Sequence, residues 1–370
     1  MQFEPNRRAA RQTGFSLVEL MVGMAIGLFL VLVITQVLGV FEARNRATIG
    51  NADAQTNGGI ALYTIGRDLQ MAGFSLMPIE NSALECTSFT PTGVTGITGS
   101  TPAAIANEVS IAGGSGTSDT ITIRYGSSMK GGTFTQVIGI PDASNNVPVK
   151  SNLGCRRDEV AMIVRGTACI LRKVTGPVAD PSKPNDTSTP YEEYDLLTGN
   201  DTITLNNVSG ISVDDNLTCL GVWNEVTYAV AVDNGSPTLM RNGVPILSGI
   251  VNLQAQYGIS GAADINQVSQ WVDASGAWAA PSVANRNLIK AVRLAVVARN
   301  DKRDAAVVTS ACSSTTAAAP TGLCAWAGSA GSPAPAIDLS SADADWQHYR
   351  YRVFETVIPL RNVVWSKDTL

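Results

Sequence analysis

The sequence predicts an α+β protein in which one long amino-terminal helix, membrane-spanning and then amphipathic, packs on a largely antiparallel β-sheet domain. Three observations carry this. The run from Leu20 to Val40 holds no charged residue and is long enough to cross a bilayer as a helix. Beyond it, Ala54, Gly58, Ala61, Leu62, Ile65, Leu69 and Ala72 fall near one face at helical spacing. Further on, short runs alternate apolar and polar residues between clusters of Gly, Pro, Asn and Ser, the pattern of half-buried strands joined by turns.

Composition agrees with an ordered, turn-rich chain: 45% hydrophobic and 15% charged, with 34 Gly and 17 Pro in 370 residues. That length permits one large domain on a stalk. The formal charge is −5, and removing residues 1–14, with three Arg and one Glu, makes it −7. Such a balance offers no basic footprint for nucleic acid.

The first element is a polar leader, residues 1–14, carrying Arg7, Arg8 and Arg11. Residues 15–41 form the apolar half of the helix, and Glu19 is their only ionisable side chain. Arginines ahead of the span predict an amino terminus held in the cytoplasm, a bias weakened by Arg44 and Arg46 on the far side. No A-x-A cleavage site follows the apolar core. Instead Gly14-Phe15-Ser16-Leu17-Val18-Glu19 precedes it, and this segment closely resembles the type IV prepilin processing motif. The resemblance implies cleavage by prepilin peptidase between Gly14 and Phe15, N-methylation of Phe15, and an assembly role for Glu19. Physics singles out Glu19 independently, because a carboxylate within a membrane is costly and needs a partner. The new amine on Phe15, one helical turn away, is such a partner, either within the chain or between neighbouring subunits.

Residues 42–74 form the amphipathic half. From Phe15 to Ala72 a continuous helix would be roughly 90 Å long. Gly58 and Gly59 each cost about 1 kcal/mol relative to Ala, so a local weakness or break is expected there, and Gly73 supplies a stop. Arg67, Asp68 and Gln70 lie off the buried stripe. The segment Ala61–Phe74, with Arg67-Asp68-Leu69 followed by Ala72-Gly73-Phe74, resembles the end of the long helix in PilW-like minor pilins.

Residues 75–370 form the globular region. Strands are predicted at Thr120–Tyr125, Val160–Val164, Ala168–Val174, Val226–Val232, Gly249–Ile259 and Ile289–Arg299, where Val292, Leu294, Val296 and Ala298 share a face and Lys290 marks the rim. Gln256-Tyr257-Gly258, the Ala291–Asn300 strand and the segment Tyr351–Asn362 occur in the order seen in PilW-like proteins. The likeness is tight over residues 12–75, scattered over 245–365 and essentially absent over 76–244. Family members often place a calcium-like turn after Tyr-Gly, but Ser260–Asn266 lacks the spaced carboxylates such a loop needs. No metal and no cofactor is expected. Three loops read as surface insertions: Gly93–Ser118, Gly176–Tyr191 with four prolines, and Ser310–Ala336.

Six cysteines, Cys86, Cys155, Cys169, Cys219, Cys312 and Cys324, follow the apolar segment. In an exported region they favour disulfides. Fifteen connectivities are open; short loops suggest Cys155–Cys169 and Cys312–Cys324, leaving Cys86 with Cys219.

Nothing in the chain signals catalysis. Gly113–Gly116 lacks the Lys-Ser/Thr of a phosphate loop, no Gly-x-Ser-x-Gly elbow accompanies the single histidine, His348, and Arg157-Asp158-Glu159 and Asp214-Asp215 read as solvated turns. The resemblance implies a non-enzymatic minor pilin that initiates type IV pilus assembly and sits at the tip. Its implied partners are other minor pilins, the major pilin, prepilin peptidase, the inner-membrane assembly platform and membrane lipid, with the globular domain in the periplasm. A J-type pseudopilin of a type II secretion system shares the same layout. A tip adhesin or DNA-uptake module on a pilin anchor is the other alternative.

Overall fold

Helix α1 runs unbroken from Leu17 to Met71 in the computed structural model, which describes residues 16–76, 86, 88–94, 109–113, 116–128, 134–152, 155–166, 168–176 and 202–365. The chain divides into two compact units, Met1–Ala52 and Asp53–Leu370, and α1 contributes to both. In the first unit the apolar stretch is helical throughout, so beyond its first turn the backbone groups bond within the helix, as a membrane requires. No proline interrupts Leu17–Gly39, and the Thr35 hydroxyl donates to the Leu32 carbonyl at 2.9 Å, so this polar group is satisfied internally.

In the second unit the helical stripe is buried as its spacing predicts: Ala54, Ala61, Ile65, Leu69 and Ala72 all enter the core. The expected break at Gly58-Gly59 is absent. A Cβ on Gly58 would collide with the Phe354 ring, so the glycine admits an aromatic ring against the helix. The burial gained there exceeds the propensity cost of about 1 kcal/mol. Gly73 closes the helix with φ 74°, and its N–H donates to the Arg124 carbonyl at 2.9 Å. This left-handed conformation is open to glycine at no steric cost.

Three sheets complete the second unit, and antiparallel pairing dominates. The first contains β1 (Ser88–Thr92), β4 (Phe134–Gln136), β5 (Asn146–Pro148), β6 (Val160–Arg165), β7 (Ala168–Gly176), β8 (Thr202–Leu205) and β9 (Asn216–Gly221). Its order is β4-β9-β6-β7-β8-β5, with β1 joined to β7 in parallel. The second sheet is ordered β12-β11-β10-β3-β2, from β2 (Val109–Ala112), β3 (Thr120–Tyr125), β10 (Asn224–Asp233), β11 (Ser236–Arg241) and β12 (Val244–Ser248). The third is ordered β14-β13-β15-β16, from β13 (Ile250–Ile259), β14 (Gln270–Val272), β15 (Ile289–Arg299) and β16 (Tyr351–Pro359). Short helices α2 (Val283–Arg286) and α3 (Arg361–Trp365) flank it.

One core joins α1 to the second and third sheets. Ile121, Ile123, Val226, Tyr228, Val292, Leu294, Val296 and Ala298 meet the helical stripe there, so the alternation read from β3, β10 and β15 sets which face is buried. Val232 leaves that pattern and is exposed at the end of β10, where the hairpin has run past the helix.

Two expectations are corrected here. Lys290 does not mark a rim: it is 1% exposed, and its ammonium donates to the Ala263 carbonyl at 2.9 Å. A long aliphatic stem lets the charge cross the packed layer and find an acceptor in the turn. That turn, Ser260–Asn266, thus meets a cation from its own chain. The segment Ser310–Ala336 is likewise no solvated insertion. Leu323, Ala325, Trp326 and Ala334 pack on Ala295 and Val297, covering the face of the third sheet that α1 leaves bare. Its Ala-, Ser- and Gly-rich composition hides this, because irregular chain has no period to read. Most of the other two loops, residues 95–108 and 177–191, lies outside the described residues.

The disulfides correct the expected pairing as well. Cys312 joins Cys324, but Cys86 joins Cys169 and Cys155 joins Cys219, in place of Cys155–Cys169 and Cys86–Cys219. Side chains alternate across a sheet, and the first sheet separates the two pairs. Cys86 and Cys169 lie with Val160, Met162 and Val164 on one face; Cys155 and Cys219 lie with Ala161 and Ile163 on the other. Closeness in sequence could not join Cys155 to Cys169 through the sheet between them.

Candidate functional site

The carboxylate of Glu19 projects from the first turn of α1. The helix starts when the Leu20 amide bonds the Ser16 carbonyl at 3.1 Å, leaving the unsatisfied amides of the first turn beside an acidic side chain, a favourable arrangement with the helix dipole. Among the described residues no ion pair or hydrogen bond reaches that carboxylate. Gly14 and Phe15, the expected processing residues, lie outside the described residues. From Leu17 to Gly39 the helix is long and apolar enough to cross a membrane, and its large side chains are exposed around the whole circumference. A helix apolar on all sides belongs in lipid or in a packed bundle.

At the other end of α1 the sequence motif gains a physical meaning. Asp68, expected off the buried face, accepts from the Tyr228 hydroxyl at 2.6 Å and from Arg241 at 2.9 and 3.2 Å. The Arg241 guanidinium also lies 6.0 Å from the Tyr228 ring centre. Burial, with Asp68 beside it, pushes the Tyr228 hydroxyl far above its ordinary pKa, so Tyr228 is a fixed donor to a charged acceptor. Asn362 completes the end: its amide donates to the Ala72 carbonyl at 2.9 Å and to the Gln70 carbonyl at 3.4 Å. The last carbonyls of a helix have no internal partner, and a side chain from far along the chain satisfies them here. Asp68 with Tyr228 and Arg241 therefore forms a clasp between α1 and the β10–β11 hairpin, and Asn362 ties the same helix end to the segment after β16. Tyr228 and Arg241 were missed from sequence because only strand pairing of β10 with β11 brings them together.

The other polar groups weighed for chemistry serve structure. Asp158 pairs with Lys173 at 2.7 Å, which holds its carboxyl below the usual range. Asp215 receives a two-pronged contact from Arg165 at 2.7 and 2.8 Å. His348 lies with Nδ1 3.0 Å from the Asp304 carbonyl. Asp119 is the exception in its titration: burial pushes it up to about 7 against a hydrogen bond from the Ala255 amide. Among the described residues no cluster of His, Cys, Asp and Glu could hold a metal ion.

Two family models match the chain: the prokaryotic N-terminal methylation motif over residues 9–35, and Type IV Pilus-assembly protein W over residues 225–362. The chain is PilW-like. The first match contains Gly14, Phe15 and Glu19; the second contains Tyr228, Arg241, the third sheet and Asn362. The PilW match begins at residue 225, ahead of the scattered likeness expected over 245–365, and takes in the hairpin that carries the partners of Asp68, but it does not reach Ala61–Phe74, where likeness was also expected. Neither match covers residues 36–224, which include the first sheet and two of the disulfides. No curated protein and no solved structure matches the chain. The two matches together support a PilW-like type IV pilin, and the stretch Leu17–Gly39 is apolar and long enough to serve as its membrane anchor.

Proposed function

We propose that the protein is a minor pilin that helps initiate type IV pilus assembly and stays at the pilus tip. The observation that carries this reading is the wholly apolar, exposed helix with one carboxylate in its first turn, placed directly after the processing motif. On this reading residues 1–14 are a cytoplasmic leader removed by prepilin peptidase, Phe15 becomes the N-methylated terminus, residues 15–41 lie in the membrane and then the filament core, residues 42–74 form the stalk, and residues 75–370 are periplasmic. Glu19 finds its partner in the terminal amine of Phe15 on a neighbouring subunit, which sets axial register. Other minor pilins, the major pilin and the assembly platform are the partners. A globular domain stapled by three disulfides is bulky for a repeating lattice and is accommodated at a tip.

Mass spectrometry of the amino terminus, with and without an active prepilin peptidase, tests the processing step: a methylated Phe15 dependent on the peptidase is expected, and an intact Met1 refutes it. Glu19→Ala is expected to be cleaved normally but to be depleted from sheared filaments; wild-type abundance there refutes the assembly role of Glu19.

A further inference from the structure

Strand β16 ends the third sheet, and among the described residues no strand pairs with its outer edge. Its register with β15 is continuous over nine residue pairs, from Arg299↔Tyr351 to Ala291↔Pro359. Two bonds beyond the strand ends fix which groups face inward: the Asn300 amide donates to the Arg350 carbonyl and the Leu360 amide to the Lys290 carbonyl, each at 2.9 Å. Inward bonding alternates along an antiparallel strand, so residues 352, 354, 356 and 358 bond β15. The N–H and C=O groups of Tyr351, Val353, Glu355 and Val357 therefore point away from the sheet. Among the described residues no hydrogen bond reaches these backbone groups.

Open edges are normally blunted by shortness, proline, bulges or charged side chains, lysine above all. The other edges of this fold follow that rule. Strand β12 carries Pro245 and faces a register shift at Leu239/Met240, β1 carries Pro91, β2 has only four residues, and β14, β4 and β5 have three each. Strand β16 carries Arg352 and Glu355, the latter paired with Arg293 of β15, but no lysine; its ladder has no shift, and its one proline, Pro359, stands at the last position. Val357 is 51% exposed beside this edge, and Arg352 is exposed with no ion pair among the described residues. Gly58 and Gly66 bring α1 down onto Phe354 and Ile358, so the strand is held rigidly from one face while its edge stays open.

We infer that β16 is a strand-addition site, and that its occupant is an extended segment of another pilus subunit with an acidic side chain opposite Arg352. This rests on the minor-pilin reading. Main-chain bonds to residues 351, 353, 355 and 357 supply the affinity, and the alternating side chains supply selection.

The test uses the full-length protein in cells that make the filament. A photo-crosslinking amino acid at position 357 is expected to give an adduct with a different pilus subunit, mapped to one extended segment. Val357→Pro removes an outward N–H without touching the β15 ladder, and is expected to lower the amount in sheared filaments about tenfold, while Val357→Ala leaves it unchanged. Arg352→Glu keeps every backbone group and is expected to show the same loss, which covers the case in which the proline disturbs folding. An adduct only with a second copy of this chain, no adduct, or wild-type incorporation of both Val357→Pro and Arg352→Glu overturns the inference. Absence of the wild-type protein from filaments overturns instead the minor-pilin reading on which it rests.

Discussion

Removing the Asp68 carboxylate isolates the energetic weight of the clasp between α1 and the β10–β11 hairpin. Asp68 is largely buried, with 15% side-chain exposure against 38% for Arg241, so its contacts with Tyr228 and with Arg241 are unequal. The Arg241 contact is partly screened and is worth about 0–1 kcal/mol. The Tyr228 hydroxyl is buried, and its bond to a charged acceptor is worth about 1.5–3 kcal/mol. Asp68→Ala leaves that hydroxyl without its acceptor, for an expected loss of about 2–3 kcal/mol. In a unit of this size, Asp53–Leu370, the melting temperature should fall by roughly 3–5 °C. All six tryptophans lie beyond residue 222, so intrinsic fluorescence of the detergent-solubilised protein reports on the unit that contains the clasp. Tyr228→Phe should cost less, because it removes donor and leaves Asp68 with Arg241. A double-mutant cycle between the two should show a coupling of about 1 kcal/mol or more. Zero coupling, or an unshifted melt for Asp68→Ala, refutes the clasp as a stabilising element.

Adjacent glycines should respond with opposite signs: Gly58→Ala meets the Phe354 ring and should destabilise by about 1–3 kcal/mol, whereas Gly59→Ala enters open space and should stabilise by up to about 1 kcal/mol, both measured by thermal melting. Because burial holds the Asp119 carboxyl at about 7 against its ordinary value of 3.8, the folded state keeps its proton between those values while the unfolded state loses it. Stability should thus fall by an order of a few kcal/mol as pH rises from about 4 to about 7, and Asp119→Asn should flatten that slope in a series of melts. Non-reducing peptide mapping should recover Cys86–Cys169 and Cys155–Cys219. Replacing Cys155 and Cys219 by Ser opens a link across 64 residues and should cost about 4 kcal/mol on the chain-entropy account.

The elements that sequence made legible are those with a long, regular period. The α1 stripe and the alternation in β3, β10 and β15 each state a buried face without help from the rest of the chain. Strands β9, β11 and β12 were not legible: Asn216–Gly221 is buried on both faces and so does not alternate, while Pro237 and Pro245 obscure the others. Disulfide pairing depends on which face of a sheet each cysteine occupies, and that requires knowing where β1 and β9 join the sheet. Lys290 and Trp326 were misplaced with their surroundings for the same reason, since burial of a single residue is set by what crosses over it. At the amino terminus the opposite holds: Gly14, Phe15 and Glu19 were read from chemistry and a local motif, and no folded neighbour was needed to find them.

The cap on α1 also orders events in time. Ala72 and the amide that completes its helix end are separated by 290 residues of chain, and β16, against which Gly58 and Gly66 pack, arrives almost as late. Contacts that close such long loops are the slow step of folding. A chain emerging amino terminus first therefore presents its anchor long before it can finish the structure the anchor carries. During that interval the apolar stripe of α1 from Ala54 to Ala72 has nothing to cover it. A chaperone that shields such a stripe, or a protease that samples it, would act in that window, and arrival of Asn362 would end it.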